Sequence, residues 1–159
     1  MIPIESVFIR SKEILTELVT LLDNERSAFG QLDNQKIVQI AEQKRTLLDE
    51  MSMLNERRLN ILIKFDILDR DNPLEDDFKT WLKNQDSSMD DTRLLISECE
   101  TLLTTCKTKN QTNARILHTL QKRNKHLFEL LQGHNSKNKV YTARGSTQPV
   151  SSKHTLGRA

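Results

Sequence analysis

The chain has 159 residues, of which 29% are charged and 4% are aromatic, with only four glycines and three prolines. Abundant leucine with so few turn-forming residues indicates long helices and argues against a β-sheet domain. The first ten residues contain no apolar run of signal-peptide length, and no segment approaches the roughly 20 apolar residues of a membrane span. We therefore expect an all-α, cytoplasmic protein.

The net charge of +2 is unevenly distributed along the chain. Residues 133–159 hold five basic residues and no acidic ones, whereas residues 1–132 hold 19 basic and 22 acidic residues. The basic segment is also polar and rich in turn-forming residues, so we expect it to be disordered when free. The sequence thus predicts a helical domain over residues 1–132 and a flexible basic tail over residues 133–159.

The first predicted helix spans about residues 4–29. Its apolar residues recur at a seven-residue spacing typical of a coiled-coil seam, at Phe8, Leu15, Leu22 and Phe29, with Glu25 a polar exception in the neighbouring row. Gly30 predicts the end of this helix, and Asp33 or Asn34 predicts the cap of the next one. The seam loses phase at the same point, so a turn near residues 30–34 should join two antiparallel helices.

The second predicted helix spans about residues 34–68. Its clearest heptad row consists of Ile40, Leu47, Leu54, Ile61 and Leu68, and Lys44 and Arg58 are polar members of the other row. A short helix over about residues 73–84 should follow, capped by Asn72 with Pro73 in its first turn. The acidic segment around it is not a calcium loop, because Leu74 stands where such a loop requires glycine.

The last predicted helix spans about residues 88–132 and is capped by Ser87 or Ser88. Together these helices predict an extended antiparallel bundle. Cys99 and Cys106 occupy one apolar row of the last helix and should be core residues, too far apart for a disulfide. Lys107 to Asn113 form a run of seven polar residues with no glycine or proline to end the helix.

Residue patterns typical of catalysis are missing from the sequence. We find no phosphate-binding loop, no nucleophile elbow and no cluster with metal-ligand spacing. His118, His126 and His134 are eight residues apart, so they leave any common helix face. We therefore expect no enzyme activity, no catalytic residue, no cofactor and no metal.

The C-terminal part of the sequence resembles the FlgN-type flagellar export chaperones. The family shows spaced asparagines, an apolar pair, an Arg-Asn pair, a leucine-rich end and a tyrosine followed by a glycine. The matching residues here are Asn110, Asn113, Ile116, Leu117, Arg123, Asn124, Leu130, Leu131, Tyr141 and Gly145. Ala114 departs from the pattern, since the family usually has glycine there.

This resemblance implies a cytoplasmic type III export chaperone without nucleotide or metal. Its clients would be the hook–filament junction proteins, whose C-terminal helical segments it binds, keeps unassembled and delivers to the flagellar export gate. Such segments are amphipathic, so a chaperone with an uncovered apolar stripe could act as a substitute partner helix. The resemblance also implies that Tyr141, which lies in the tail, makes a contact with the export gate or within the tail.

Two interpretations of the polar run remain open. In the first, Asn113 faces a partner helix and fixes the helix register, as a buried asparagine does in a coiled coil. In the second, which we prefer slightly, the run separates a packed half of the helix from a client-binding half. The predicted client-binding residues are Asn110, Asn113, Ile116, Leu117, Leu120, Arg123, Asn124, Leu127, Leu130 and Leu131.

Two other functions compete with the chaperone interpretation. A coiled-coil scaffold would need the same helices but has no reason to carry the tail pattern. RNA binding would have to use the basic tail, where Tyr141 is the one aromatic ring available for stacking; we expect no nucleic-acid partner and no stable membrane insertion. An exposed apolar seam can also pair with a second copy, so the sequence leaves monomer and homodimer open.

Overall fold

A computed structural model of the chain describes residues 3–132 and, for the backbone alone, residues 139–141 and 147–149. It contains α1 (Glu5–Gln31), α2 (Asn34–Lys64), α3 (Glu75–Lys83) and α4 (Asp90–Leu131), with a 3₁₀ turn at Ser87–Met89. Strands β1 (Lys139–Tyr141) and β2 (Thr147–Pro149) follow. The predicted class, three long helices with one short helix in a helical bundle, is confirmed.

The chain divides into two compact units, residues 1–116 and residues 117–159. The boundary falls within α4. The division predicted from the sequence, at residue 132, stays a prediction.

In the first unit, α1 and α2 form the predicted antiparallel hairpin. Arg10 near the start of α1 pairs with Glu50 late in α2 at 2.7 Å, and Glu25 near the end of α1 pairs with Lys44 early in α2 at 2.9 Å. The two helices enclose an apolar core that includes Ile14, fully buried in α1, and Leu62, fully buried in α2. Burial of such side chains supplies most of the stability of a helical hairpin.

Helix α4 packs on α1 in the parallel direction. The Cys99 thiol donates to the carbonyl of Phe8 at 3.5 Å, and the Cys106 thiol donates to the carbonyl of Leu15 at 3.6 Å, so both helices advance by seven residues together. The long connection from residue 65 to residue 89 makes this direction available. The three long helices therefore run up, down and up.

Two helix ends differ from the sequence prediction for the same physical reason. Gly30 does not end α1; the helix continues to Gln31, and Leu32 adopts the left-handed conformation with φ of 54°. Helix α2 ends at Lys64 rather than near residue 68, because Asp66 is left-handed with φ of 55°. The amides of Ile67 and Leu68 then bond back to the Leu62 carbonyl, which directs both side chains into the core.

Caps account for the remaining boundaries. Asp33 caps α2 as predicted, since its carboxylate accepts from the Lys36 amide at 3.1 Å. Asn72 does not cap α3, which begins at Glu75 after Leu74 without a side-chain cap. Asp86, rather than Ser87 or Ser88, caps the 3₁₀ turn before α4 by accepting from the Ser88 amide at 3.0 Å. This bond and that of the Ser88 hydroxyl hold the pKa of Asp86 below its ordinary value.

Helix α3 is fixed to the other helices by its rings and its C-terminal carbonyls. Phe78 is buried and stacks on Phe8 of α1 and on Trp81, with ring centroids 6.3 and 6.1 Å apart. The Arg93 guanidinium of α4 donates to the carbonyls of Leu82 and Gln85 at 2.8 and 2.6 Å. These bonds join α4 to the carbonyls at and just after the C-terminal end of α3.

The second unit comprises the end of α4 from Leu117 and an antiparallel pairing of β1 with β2, in which Tyr141 lies opposite Thr147. This hairpin was not predicted from the sequence. The rest of the predicted disordered tail lies outside the described residues. Within the described part of the chain, none of the helices has the length and apolar character needed to cross a bilayer.

Candidate client-binding surface

The polar run from Lys107 to Asn113 lies wholly within α4. Nothing in the run interrupts the backbone ladder, and the Thr112 hydroxyl donates to the carbonyl of Thr108 at 3.0 Å within the helix. Lys109 reaches Asp23 of α1 at 2.5 Å. The run is therefore a polar segment of an unbroken helix, as the absence of glycine and proline predicts.

Asn113 is the centre of a buried polar layer that joins the three long helices. Its side-chain nitrogen donates to the Leu22 carbonyl and to Glu25 Oε2, each at 2.8 Å. Lys44 Nζ donates to both carboxylate oxygens of Glu25 at 2.9 and 3.1 Å. Asn113 is 3% exposed and Glu25 is 7% exposed. We call Glu25, Lys44 and Asn113 the polar layer.

This geometry decides how Asn113 is used. Both of its amide hydrogens bond within the bundle, so they are not free to meet a client. The structure supports the register-fixing interpretation for Asn113, and the surface proposed below omits it. Asn110, the other asparagine of the run, is exposed and takes no part in the polar layer.

One heptad row of α4 changes character after Asn113. The buried residues of the helix are Thr92, Cys99, Cys106 and Asn113, each seven residues from the next. The same row continues with Leu120, which is half-buried, and Leu127, which is 55% exposed. The small and polar members of the row are thus buried, whereas Leu120 is only partly covered and Leu127 is mostly exposed, which inverts the usual preference of leucine for the interior.

Further apolar side chains of α4 accompany these two leucines. Ile116 is half-buried, and the exposed members are Leu117, Phe128, Leu130 and Leu131, the last 87% exposed. Phe128 was not predicted, because it belongs to neither heptad row and is not among the residues that carry the family resemblance. Its position eleven residues after Leu117 is about three turns on, so the two lie on the same side of the helix. We call Leu117, Leu120, Leu127, Phe128, Leu130 and Leu131 the apolar surface.

Three other residues predicted for the site are Arg123 and Asn124 in α4 and Tyr141 in the tail. Arg123 and Asn124 are exposed on the same stretch of α4. The backbone of Tyr141 belongs to β1, paired with Thr147, and its side chain lies outside the described residues. The structure therefore places the helical site residues on one continuous helix and leaves the role of Tyr141 a prediction.

A groove in the first unit was not predicted from the sequence. It has a volume of about 430 Å³, and its lining includes Phe8, Leu54, Phe78 and Leu103. Arg58 and Glu75, joined at 2.9 Å, lie at its edge. The position of α3 across the hairpin creates this groove, and a sequence pattern does not specify where a short helix will dock.

The described residues contain no group of three or more histidine, cysteine or carboxylate side chains placed to hold a metal ion. Burial raises the pKa of both thiols, Cys99 and Cys106, above the ordinary value. Each thiol also donates to a main-chain carbonyl of α1. These are features of unreactive core cysteines rather than of nucleophiles.

The comparison with known proteins agrees with the resemblance seen in the sequence. The family model described as FlgN protein matches residues 4–149, which include all four helices and both strands. No curated protein and no solved structure matches the chain. The matched range covers most of the sequence, and we conclude that the chain belongs to the FlgN family of flagellar export chaperones.

Proposed function

We propose that this protein is a cytoplasmic export chaperone that binds the C-terminal amphipathic helices of the hook–filament junction proteins through the apolar surface of α4. Binding keeps these clients unassembled until the chaperone delivers them to the flagellar export gate. The observation that carries the proposal is the heptad row of α4, in which a buried row continues with Leu120, which is half-buried, and Leu127, which is 55% exposed.

The apolar surface has the chemistry that an amphipathic helix requires of a partner. Its members recur at spacings of three, four and seven residues, which is the pattern of a helix-packing stripe. Leu127 and Phe128 are 55% and 60% exposed, so most of their apolar area remains to be buried. Fully burying one such side chain contributes about 1.5–3 kcal/mol, and a contiguous exposed patch of this kind marks an interaction site.

Polar groups beside the apolar surface suit the edge of a helical interface. Arg123 and Asn124 are exposed donors on the same side of α4 as Leu127, whereas Lys122 and Lys125 lie on the far side of the helix. Glu129 is the one acidic side chain between Leu117 and Leu131. A client helix with carboxylates flanking its apolar stripe would meet the charge of Arg123 favourably, which affects orientation and association rate more than affinity.

Tyr141 is the proposed contact with the export gate, on the family pattern alone. Its position in β1, opposite Thr147, places it in a paired strand rather than in a helix. Exchange of Tyr141 for phenylalanine and for alanine should separate a role of the hydroxyl from a role of the ring. A gate-binding measurement that distinguishes neither variant from the parent would contradict this assignment.

The function is tested by titrating the purified protein with synthetic C-terminal peptides of the hook–filament junction proteins from the same cell. We expect one saturable site, a negative heat-capacity change from apolar burial and little salt dependence. N-terminal peptides of the same proteins serve as controls. If the protein binds none of the C-terminal peptides and is instead recovered from cells with RNA or with a stable structural partner, it is not an export chaperone of this type.

A further inference from the structure

In the polar layer, all three long helices of the first unit are joined by hydrogen bonds through one carboxylate, that of Glu25. Lys44 of α2 and Asn113 of α4 both donate to the Glu25 carboxylate of α1, and Asn113 also donates to the Leu22 carbonyl. Among the described residues, no buried side-chain nitrogen or oxygen lacks a partner. Asn113 supplies both of the hydrogen bonds that α4 donates to this layer.

We propose that the polar layer selects α4 as the third helix of the bundle and excludes client helices from its place. The exclusion of clients rests on the proposed function, because the clients named there are themselves amphipathic helices. A chaperone that binds such helices on one part of α4 must prevent them from replacing the other part. The polar layer distinguishes α4, which presents Asn113 at this level, from a client helix that presents an apolar residue there.

The rest of the α1–α4 interface discriminates poorly between helices. Cys99 and Cys106 donate to main-chain carbonyls of α1, which lie inside that helix and keep their helical partners when a replacing helix offers no thiol. The remaining contacts of α4 are apolar and follow a heptad spacing that any amphipathic helix can reproduce. Lys12–Glu98 and Lys109–Asp23 are ion pairs with substantial exposure on both partners, and such pairs add little selectivity.

The polar layer discriminates because its side chains are buried. A helix with an apolar residue at the level of Asn113 would leave the Leu22 carbonyl without its second donor. It would also remove one donor from Glu25, whose side chain is only 9% exposed. Unmade hydrogen bonds to buried groups of this kind correspond to roughly a tenfold or greater loss of binding. Polar groups at single core positions select partners in coiled coils by the same penalty.

The test uses two full-length chains that have the same α4 and differ only in the residues of α1 and α2 that face it. The first carries Asn113→Leu, and the second carries Asn113→Leu with Glu25→Leu and Lys44→Leu, so both have the same fourth helix. Each is mixed with two peptides of residues 90–116 in which alanine replaces both cysteines. One peptide keeps the natural asparagine, and the other carries Asn113→Leu. Displacement of α4 is measured as the rate at which Cys99 and Cys106 of the protein react with a thiol reagent.

The first chain keeps Glu25 and Lys44, so its α1–α2 hairpin should prefer the asparagine peptide by about tenfold or more. The second chain has leucine at both positions, so its hairpin should prefer the leucine peptide. The same preference in both chains, or no preference in either, would overturn the proposal. If the Asn113→Leu chain does not fold, the parent chain with the same peptides makes the first comparison.

A client peptide separates this inference from the proposed function. In the parent protein, Cys99 and Cys106 should stay as unreactive with a bound client peptide as without it. Reaction of these thiols on client binding would show that the client takes the place of α4 and would refute the exclusion. If no client peptide binds at all, the proposed function fails, whereas the comparison of the two α4 peptides still decides whether the layer selects α4.

Discussion

At α4, the side chains that pack against α1 are small. Cys99 and Cys106 bring their sulfur atoms to 3.5 and 3.6 Å from the carbonyl oxygens of Phe8 and Leu15. Short side chains at these two positions allow this close approach of the two helices. The short side chains therefore define the separation of α1 and α4, and Asn113 at the end of the same row adds hydrogen bonds that a cysteine cannot make.

Asn113→Ala should lower the free energy of unfolding by about 1–3 kcal/mol, since it removes one of the donors to the buried Glu25 carboxylate and the side-chain donor to the Leu22 carbonyl. The free energy is measured by urea denaturation. Asn110→Ala is the matched control in the same polar run; Asn110 is exposed, so its loss should change stability by less than about 0.5 kcal/mol. Equal effects of the two substitutions would show that the polar layer contributes nothing specific.

The thiols predict a dependence of stability on alkaline pH. Burial raises the pKa of Cys99 and Cys106 in the folded protein above the ordinary value of 9.0, so the folded state keeps their protons longer than the unfolded state does. Their contribution to stability is complete below pH 9.0 and is lost as the pH rises through the folded-state pKa. Melting temperatures from pH 7 to pH 11 should fall less steeply for the double variant Cys99→Ala, Cys106→Ala than for the parent.

The helices themselves follow closely from the sequence, and their ends follow less well. Heptad spacing located α1, α2 and α4, and the carboxylate of Asp33 correctly marked the start of α2. Leu32 and Asp66 adopt the left-handed conformation at the ends of α1 and α2. A leucine is not expected in that conformation, so the sequence did not indicate that α1 ends beside Leu32. Gly30, the residue that did carry a stop signal, lies inside α1, because the tertiary position of the hairpin turn decides where the helix ends.

Helix α2 allows burial to be compared within one heptad row. Leu47 is 9% exposed, whereas Leu54 is half-buried beside the groove of the first unit. Leu47→Ala should cost about 2–4 kcal/mol of stability, and Leu54→Ala should cost less, since its side chain leaves a smaller enclosed cavity. Leu48→Ala, at a position 53% exposed, is the control. A melting temperature that Leu47→Ala leaves unchanged would show that this row is not core.

The partners within the polar layer could not be predicted from the sequence. Glu25, Lys44 and Asn113 each stood out as a polar residue in an apolar heptad row. Nothing in the sequence gave the parallel direction of α4 on α1, and that direction is what brings the three side chains to one level. The apolar surface was better predicted, because heptad spacing and helix continuity alone mark Leu120, Leu127 and Leu130.

At the scale of the whole molecule, we expect the tail to be dispensable for stability. Residues 134–159 contain five basic residues, no acidic ones and no continuous apolar stripe, so they offer little area for packing. A chain ending at residue 133 should have nearly the melting temperature of the full chain and should bind client peptides with similar affinity. A marked fall in melting temperature would assign the tail a structural role, and a gain in client affinity would indicate that it competes for the apolar surface.

The central claim is that α4 belongs to the core up to Asn113 and serves as the client surface from Leu117 onward. It is tested most directly by measuring melting temperature and client-peptide affinity for Leu127→Glu and Cys99→Glu. His118→Glu, which adds the same charge to an exposed position on the opposite side of the helix from Leu127, is the control.

Leu127→Glu should weaken binding by about 2 kcal/mol or more, because the complex would bury the new carboxylate, and it should leave the melting temperature unchanged. Cys99→Glu should instead unfold the first unit. Should Leu127→Glu melt the protein as severely as Cys99→Glu, or bind client as well as His118→Glu does, the end of α4 is not the client surface.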